Sequence, residues 1–545
     1  MSAQTVVSTV AAGSVDAVPF VAFLLVVSVT LLLCLIFSAD TENPEDVYTA
    51  GHSVRPWRNA LALTGDSISV LTLLSTTSLV ALTGYDGMAL ATSAVGAFAV
   101  LLVLARPLRN VGRFTLGDTL DARFHHRSIR IAATVATLSI CIPLAVVQLT
   151  ASGRATAALA GLTGTAAAQL CTVFIGSMMT CAAALTGMRG NTMLQVVKTI
   201  MLFALMGLLV IVLMARMGWS FDRLFADAAS ASVDPDSYFA PGLFQGTHLT
   251  GRLDLISIQV TVVLGSAVAP HLIMRVKAAE HGAAARRSVL YTIGMVGTFC
   301  AMAVVLGLGA AALAGQTPKS WFDLQSAASL LSLVNSLSTE WGGELLVALT
   351  VSAVFLTSLT VVAALTLSVG AALVHDIYVQ WRGEQQVTAA MEVKAMRWAT
   401  PILGALAVAL SVLAQNWSFQ FLAQFSIAVT ASAILPALLY ALFWQRCTRA
   451  GIVWSIYTGL GSCVLLQFFG PAVSGTPEAL FPSADFSWFP LANVGLVSIP
   501  AGFVAGWAAS RITPRGRGST DTDAYASVSA RALVDHEVGR DVRST

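Results

Sequence analysis

Apolar runs of about 20 residues alternate along this chain with short polar stretches, and about 20 residues is the length a helix needs to cross the hydrocarbon core of a bilayer. Thirteen runs meet that length: 19–38, 59–84, 88–107, 131–152, 164–186, 192–214, 253–273, 288–313, 344–373, 397–414, 420–444, 451–470 and 491–510. The pattern predicts an all-α integral membrane protein with thirteen transmembrane helices. Only TGMRGN separates the fifth run from the sixth, and the ninth is long enough to tilt or break. The loops 215–252 and 314–343 are long and polar, and are expected to carry short helices capping an entrance. Residues 511–545 are charged and rich in Ser and Thr, so a disordered tail is expected there. Residues 1–18 contain no Lys or Arg, hence no basic n-region of a signal peptide, and 19–38 reads as a first membrane helix.

Two runs are interrupted by residues that a lipid-facing helix avoids. The second carries Gly65 and Asp66 followed by Ser67, Ser69 and Thr72. A carboxylate at that depth costs roughly 2.5–3.5 kcal/mol on insertion scales, so it is expected to face a wet cavity, an ion or a partner. The seventh contains Gly265 and Pro270, and a proline in mid-helix removes a donor and clashes with the preceding turn. Interrupted helices at corresponding places in two halves point to a transporter's binding site, and these two lie five spans apart, as two inverted five-helix repeats require. The ninth run is dense in hydroxyls, and Thr357 and Thr360 share one face. Such hydroxyls beside the freed carbonyls of a broken helix suit a small hard cation; equally, they bond back to their own helix. Gln148 is placed to bind a polar solute or to cross-link helices, and a lone His271 reads as structural.

Composition agrees: 56% of residues are hydrophobic, 11% are charged and the mean hydropathy is +0.78. The net charge of +2 and the scatter of basic residues exclude a nucleic-acid binder. The seven cysteines form no CxxC pair, which excludes the usual zinc and disulfide frameworks. There is no GxxxxGK[ST], HExxH or GxSxG, so an ATP-driven pump and the common hydrolases are set aside, leaving a non-enzyme without cofactor. With the N-terminus outside, 25 of the 30 Lys and Arg fall on the inner side, among them Arg189, Lys198, Arg275 and Lys277. That bias puts the C-terminus in the cytoplasm.

Several stretches together resemble a known family. NALALTGDSISVLTLL, GYDG, RPLRNVGRFTLGDTLDARF, VVQLTASGR, TGMRGNTMLQVVK, APHLIMR and VVAALTLSVGAALVHDIY, in that order, are similar to the sodium/solute symporters, and most of all to the branch of cation/acetate symporters and related monocarboxylate transporters. The resemblance runs from about residue 45 to residue 510. It implies a five-plus-five inverted-repeat core over 59–444 (59–214 and 253–444), two further helices in 451–510, and alternating access with solute held between the broken second and seventh spans. It also implies a sodium ion between the carbonyls of Gly65 and Ile68 and the hydroxyls of Thr357 and Thr360.

The chain departs from that pattern at two places. Where sodium-coupled members have adjacent hydroxyls it has Thr360-Val361, and Val361 cannot coordinate a cation; GDSIS replaces a GDYMS-like motif, with Ser67 widening the pocket. Sodium and proton therefore both stand as coupling ions, the proton through Asp66. The expectation is a symporter of a bacterial cytoplasmic membrane importing acetate, propionate or pyruvate. Asp66, Ser67, Ser69, Gln148 and Gly265 are its candidate substrate or coupling residues. The alternatives are another small solute (an amino acid, a sugar, urea) on the same scaffold, or a non-transporting sensor.

Overall fold

The computed structural model describes residues 17–37, 42–160, 162, 164–232, 234–314, 330, 333–334, 336–337, 343–383, 385–415, 417–476, 479–481, 483–513 and 520–534. Among these residues the chain is helical, with two isolated bridges (Val54–Ala279, Ser474–Phe481) and no strand. Nine described helices are long and apolar enough to cross a membrane, ten when the bent pair Pro56–Ser67 and Val70–Thr83 counts as one span. The 52-residue helix Thr165–Arg216 holds the fifth and sixth predicted spans, and Gly187, at φ +53° and ψ −167°, turns the chain between them. Ala17–Ile36 and Gly495–Ile512 match the first and thirteenth.

The spans sort into packed groups. The second packs on the sixth and eighth, the third on the seventh and eighth, and the fourth, fifth, ninth and tenth pack on one another. The ninth, Gly343–Ala371, neither breaks nor shows a polar face: from Val351 to Ala372 every residue is buried. A helix apolar all round belongs in the middle of a bundle, and this one is the post against which the broken spans lean. It ends in a wide turn, Ala372–Val379, containing the HDIY motif. The last two spans pair with each other and rest on the eleventh.

Both expected interruptions exist: the one in the seventh span falls between Gly265 and Pro270, the residues that suggested it, and the one in the second lies a few residues beyond Gly65 and Asp66. The second span bends by 64° between Pro56–Ser67 and Val70–Thr83, with Ile68 and Ser69 extended, three residues past Gly65. Gly65 itself is helical: a Cβ there would lie 2.5 Å from Gln195 Oε1 and 2.7 Å from Thr199 Oγ1, so its role is to let the sixth span approach. The seventh span runs as Leu249–Gly265, one tight turn (Ser266–Val268), an extended Ala269, then Pro270–Lys277. Pro270 starts the second piece at the position where a missing N–H costs nothing. Gly265 again permits an approach, because a Cβ would meet Ile427 O of the eleventh span at 2.4 Å.

The loop 215–252 carries the helix Phe221–Ser230 and is pinned to the bundle by Tyr238, whose hydroxyl donates to Val80 O (2.8 Å). Asp86 of GYDG holds the same loop by accepting from Gly242 N and Phe244 N (2.8 Å to the latter). Most of 314–343 lies outside the described residues, as do residues 1–16. The tail corrects the expectation of disorder: Thr520–Leu533 is a helix docked on the third and eleventh spans. Val528 and Ala532 are buried beneath it, Tyr525 Oη donates to Phe443 O (3.2 Å), and Arg123 lies 5.1 Å from the Tyr525 ring. Apolar positions four apart in an otherwise charged stretch were the signal for this amphipathic helix.

Candidate functional site

The break in the second span leaves backbone groups without helical partners, and side chains from the fourth and sixth spans meet them. Gln148 of the fourth span accepts from Val70 N (3.1 Å), and Ser69 caps the helix that follows by accepting from Thr72 N (3.2 Å). Ser358 of the ninth span donates to Gln148 O (3.2 Å). Ser67, Ser69 and Thr72 remain partly exposed although they lie well inside the span, whereas Asp66 is buried. Ser67 Oγ donates back to Thr64 O (2.7 Å).

Asp66 is half of a fully buried ion pair. Its Oδ2 lies 2.6 Å from Nε of Arg275, on the second piece of the seventh span, and the two side chains are 0% and 1% exposed. Its Oδ1 accepts from Gln195 Nε2. Arg275 Nη1 donates to Thr192 Oγ1 (2.5 Å). Asn191, with its amide turned to suit both neighbours, accepts from Arg275 Nη2 (3.3 Å) and donates to Thr360 O (3.2 Å). Four elements thus converge: both interrupted spans, the sixth and the ninth. His271 is buried close by, and its Nδ1 has no partner among the described residues.

The sixth span contributes most. Asn191, Gln195, Lys198 and Thr199 recur at helical spacing; the last three face the second span, and Thr199 Oγ1 donates to Leu61 O (3.0 Å). Lys198 is completely buried; its Nζ donates to Gly65 O (2.5 Å) and Ile68 O (2.9 Å). Those are the carbonyls that the sequence resemblance assigns to a cation. On the ninth-span side, Thr360 Oγ1 donates back to Leu356 O (2.9 Å) and Thr357 O (3.1 Å), Thr357 Oγ1 is buried without a partner among the described residues, and Val361 offers no side-chain oxygen.

Sequence reasoning placed Lys198, Arg275 and Lys277 among the basic residues of inner loops; the structure buries all three. Setting them aside leaves 22 of 27 basic residues on the predicted inner side, so the bias survives. What could have identified them is position: Lys198 falls six residues into a predicted span, and a lysine there needs a partner as much as Asp66 does.

The LGD and HDIY motifs build a second charged cluster at the end of the bundle where the predicted inner loops lie. Arg130 contacts Asp118 (2.8 Å), Asp121 (2.9 Å) and Asp376 (3.2 Å), while His375 bridges Asp118 (3.2 Å) and Glu392 (2.8 Å). Burial pushes the Asp118 carboxyl up, but the charges of His375, Arg130 and Lys277 and the His375 hydrogen bond prevail and hold it well below the usual carboxylate range. Lys277 donates to Val111 O (3.1 Å) and His52 contacts Lys277 O (2.7 Å), tying the seventh span to these loops. The cluster staples loops to the ends of the fourth, ninth and tenth spans.

Two interrupted helices that meet over a buried, charged, hydroxyl-rich break, within a bundle of membrane-length helices, define a multi-pass membrane transporter of the inverted-repeat fold. Solved transporters share that fold. A Na+-coupled sialic acid symporter, in a substrate-bound outward-open state, superposes with a TM-score of 0.70 at 14% identity, over 92% of this chain and 99% of that one. Mhp1, a nucleobase-cation-symport-1 family transporter in a closed conformation with bromovinylhydantoin bound, gives a TM-score of 0.50 at 13% identity, over 90% and 99%. The sodium:solute symporter family matches residues 47–459, and the chain belongs to that family. Among its relatives, the monocarboxylic acid transporter of Corynebacterium glutamicum is 34% identical over 94% of both chains. The uncharacterized symporter YwcA of Bacillus subtilis is 31% identical over 94% of this chain and 97% of its own length.

Proposed function

We propose that this protein imports a short-chain monocarboxylate (acetate, propionate or pyruvate) together with a cation, by alternating access, across a bacterial cytoplasmic membrane with its N-terminus outside. The observation that carries the reading is the charge at the break. Asp66 is matched by Arg275, and Lys198 adds a second buried cation, so the three groups together carry one positive charge in mid-membrane. A monocarboxylate anion cancels it. The N-terminal end of Val70–Thr83 points its partial positive charge at the same place, beside the partly exposed Ser67, Ser69 and Thr72. The identity to a monocarboxylic acid transporter supports the substrate class.

The need for a companion cation follows from electrostatics. An anion entering an inside-negative cell alone works against about 2.3 kcal/mol per 100 mV; one monovalent cation cancels that cost, and more than one lets the potential drive uptake. Gly65, Ile68, Thr357 and Thr360 are the candidate cation residues, and Asp66, Ser67, Ser69, Gln148 and Gly265 the candidate solute or coupling residues. Alternating access would move the group of second, third, seventh and eighth spans against the post of the ninth, with Gly65 and Gly265 at the two close contacts that must slide.

The test is uptake of labelled acetate into proteoliposomes with chemical and electrical gradients imposed independently. Propionate and pyruvate are expected to compete, and alanine, glucose and urea are not. Competition by one of the latter group, with acetate neither transported nor competing, would refute the substrate assignment.

A further inference from the structure

We propose that Lys198 is a tethered cation: its ammonium fills the seat of the symporter fold's sodium ion, so this protein neither binds sodium there nor needs it for transport. The proposal deepens the transport reading above by deciding which of the two cations left open by the sequence can use this seat.

The geometry is that of an occupied site. The bend at Ile68–Ser69 removes the helical donors that would serve the carbonyls of Gly65 and Ile68: Ser69 N turns to Ser67 O (3.2 Å), and Thr72 N is taken by the Ser69 hydroxyl (3.2 Å). Two carbonyl oxygens facing inward without donors attract a cation, and in this chain they receive one covalently attached to the sixth span. Lys198 has no exposed surface, so its ammonium cannot leave for water while the spans are packed this way. An ammonium is a compact charge with three donors, and two are already placed on these oxygens.

The opposite wall matches. A sodium ion bridging the second and ninth spans needs oxygens from both. The ninth offers the apolar Val361, a Thr360 hydroxyl that donates back to its own helix, and the single unpartnered oxygen of Thr357. The missing hydroxyl at Val361 on one wall and the ammonium of Lys198 on the other are separate features with the same consequence. A sodium ion added to this seat would also stand beside the ammonium with no second carboxylate to offset it, because Asp66 is already held by Arg275 and Gln195. Of the two candidate ions, the proton remains as the companion of the solute.

The experiment uses the purified full-length protein without solute. Thermal unfolding is followed as sodium chloride replaces choline chloride at constant ionic strength. The wild type is expected to show no sodium-specific shift, and a saturable rise in midpoint with sodium overturns the proposal. The double variant Lys198→Ala/Val361→Thr empties the seat and returns a hydroxyl to the ninth span, so it is expected to gain a saturable, sodium-specific stabilisation. A folded double variant as indifferent to sodium as the wild type also overturns the proposal; if that variant does not fold, the wild-type titration still decides. In proteoliposomes, wild-type uptake is expected to be unchanged when choline replaces sodium on both sides. A coupled ion alters solute affinity by roughly 5–150-fold, so a sodium effect in that range refutes the assignment. If the monocarboxylate reading were wrong, the unfolding experiment would be unaffected and only the uptake arm would be silent, so the two failures are distinguishable.

Discussion

Asp66→Asn is expected to be the most damaging single change at the break, and its cost can be set against that of its partner. The carboxylate lies 2.6 Å from Arg275 with both side chains out of reach of solvent. Removing one member of a buried pair costs about 3–5 kcal/mol, because the other is left as an uncompensated charge, whereas replacing both with apolar groups is often neutral. Here the two single changes are unequal. Asp66→Asn leaves Arg275 and Lys198 facing each other with no anion between them. Arg275→Met leaves Asp66 with Lys198, one negative charge near one positive. Asp66→Asn should therefore lose the full 3–5 kcal/mol, about two to three and a half powers of ten in the folding equilibrium at about 1.4 kcal/mol per tenfold, and Arg275→Met clearly less. The double change should fall short of the sum of the two by at least about 2 kcal/mol, since neighbours in one ionic network are not additive. The assay is reversible denaturant unfolding of purified variants in detergent, read with uptake per folded molecule in proteoliposomes. Additive losses, or an Arg275→Met variant less stable than Asp66→Asn, would refute the charge accounting. Undiminished uptake per molecule in Asp66→Asn would remove the carboxylate from the transport cycle.

Three further outcomes are expected. Gly265→Ala places a methyl 2.4 Å from Ile427 O, so the seventh and eleventh spans must part; uptake should fall more steeply than protein yield, and normal uptake would show that the contact does not need to close. Asp118→Asn should cost about 3–5 kcal/mol at neutral pH by breaking the contacts with Arg130 and His375. Because the folded carboxyl is held below its ordinary value, that contribution is complete above the unfolded aspartate pKa of about 3.9 and lost as pH falls through the folded one; the gap from wild type should be constant from about pH 5 to neutrality and close in acid. Val528→Asp puts a charge where a side chain is 2% exposed, removing about 1.5–3 kcal/mol of burial, and hydrogen exchange across 520–533 should quicken roughly 10- to 100-fold while exchange in the spans is unchanged.

Much of the fold was legible because the bilayer imposes a length. Every apolar run of about 20 residues became a helix, and the one doubtful division, at TGMRGN, is made by Gly187 with a positive φ. The seventh-span break was legible in place as well as in kind, and the second-span break in kind, a few residues from the residues that suggested it. Gly65 drew attention as a weak point of its helix, yet it is helical and small because the sixth span presses on it, and the chain opens at Ile68–Ser69; in the seventh span Gly265, pressed by the eleventh, ends one piece and Pro270 starts the next. Contact with a distant span and intrinsic helix weakness leave the same letter in a sequence. The tail misled for a related reason: its composition is that of a disordered segment, but Val528 and Ala532 share one face and find the ends of two spans to cover them.

The site divides along the same line. Asp66 announced itself because a carboxylate among apolar residues is costly in lipid, while Lys198 was hidden by a sound rule applied to the wrong residue. A lysine near a membrane boundary ordinarily reports which side is inner, and TGMRGNTMLQVVK offers Arg189 for that purpose already. Nine residues further on, Lys198 sits where the stem of a lysine cannot reach water, and its charge has to be answered from within the protein. The answer is two carbonyls left without helical donors only because another helix is broken, four spans earlier and more than 100 residues away in sequence. Neither feature can be stable alone: an unserved pair of carbonyls and an unserved ammonium would each be a buried, unsatisfied group. The break and the lysine therefore explain each other, and a reading that weighs Asp66 as an isolated anomaly must also ask which opposite anomaly lies within reach of it.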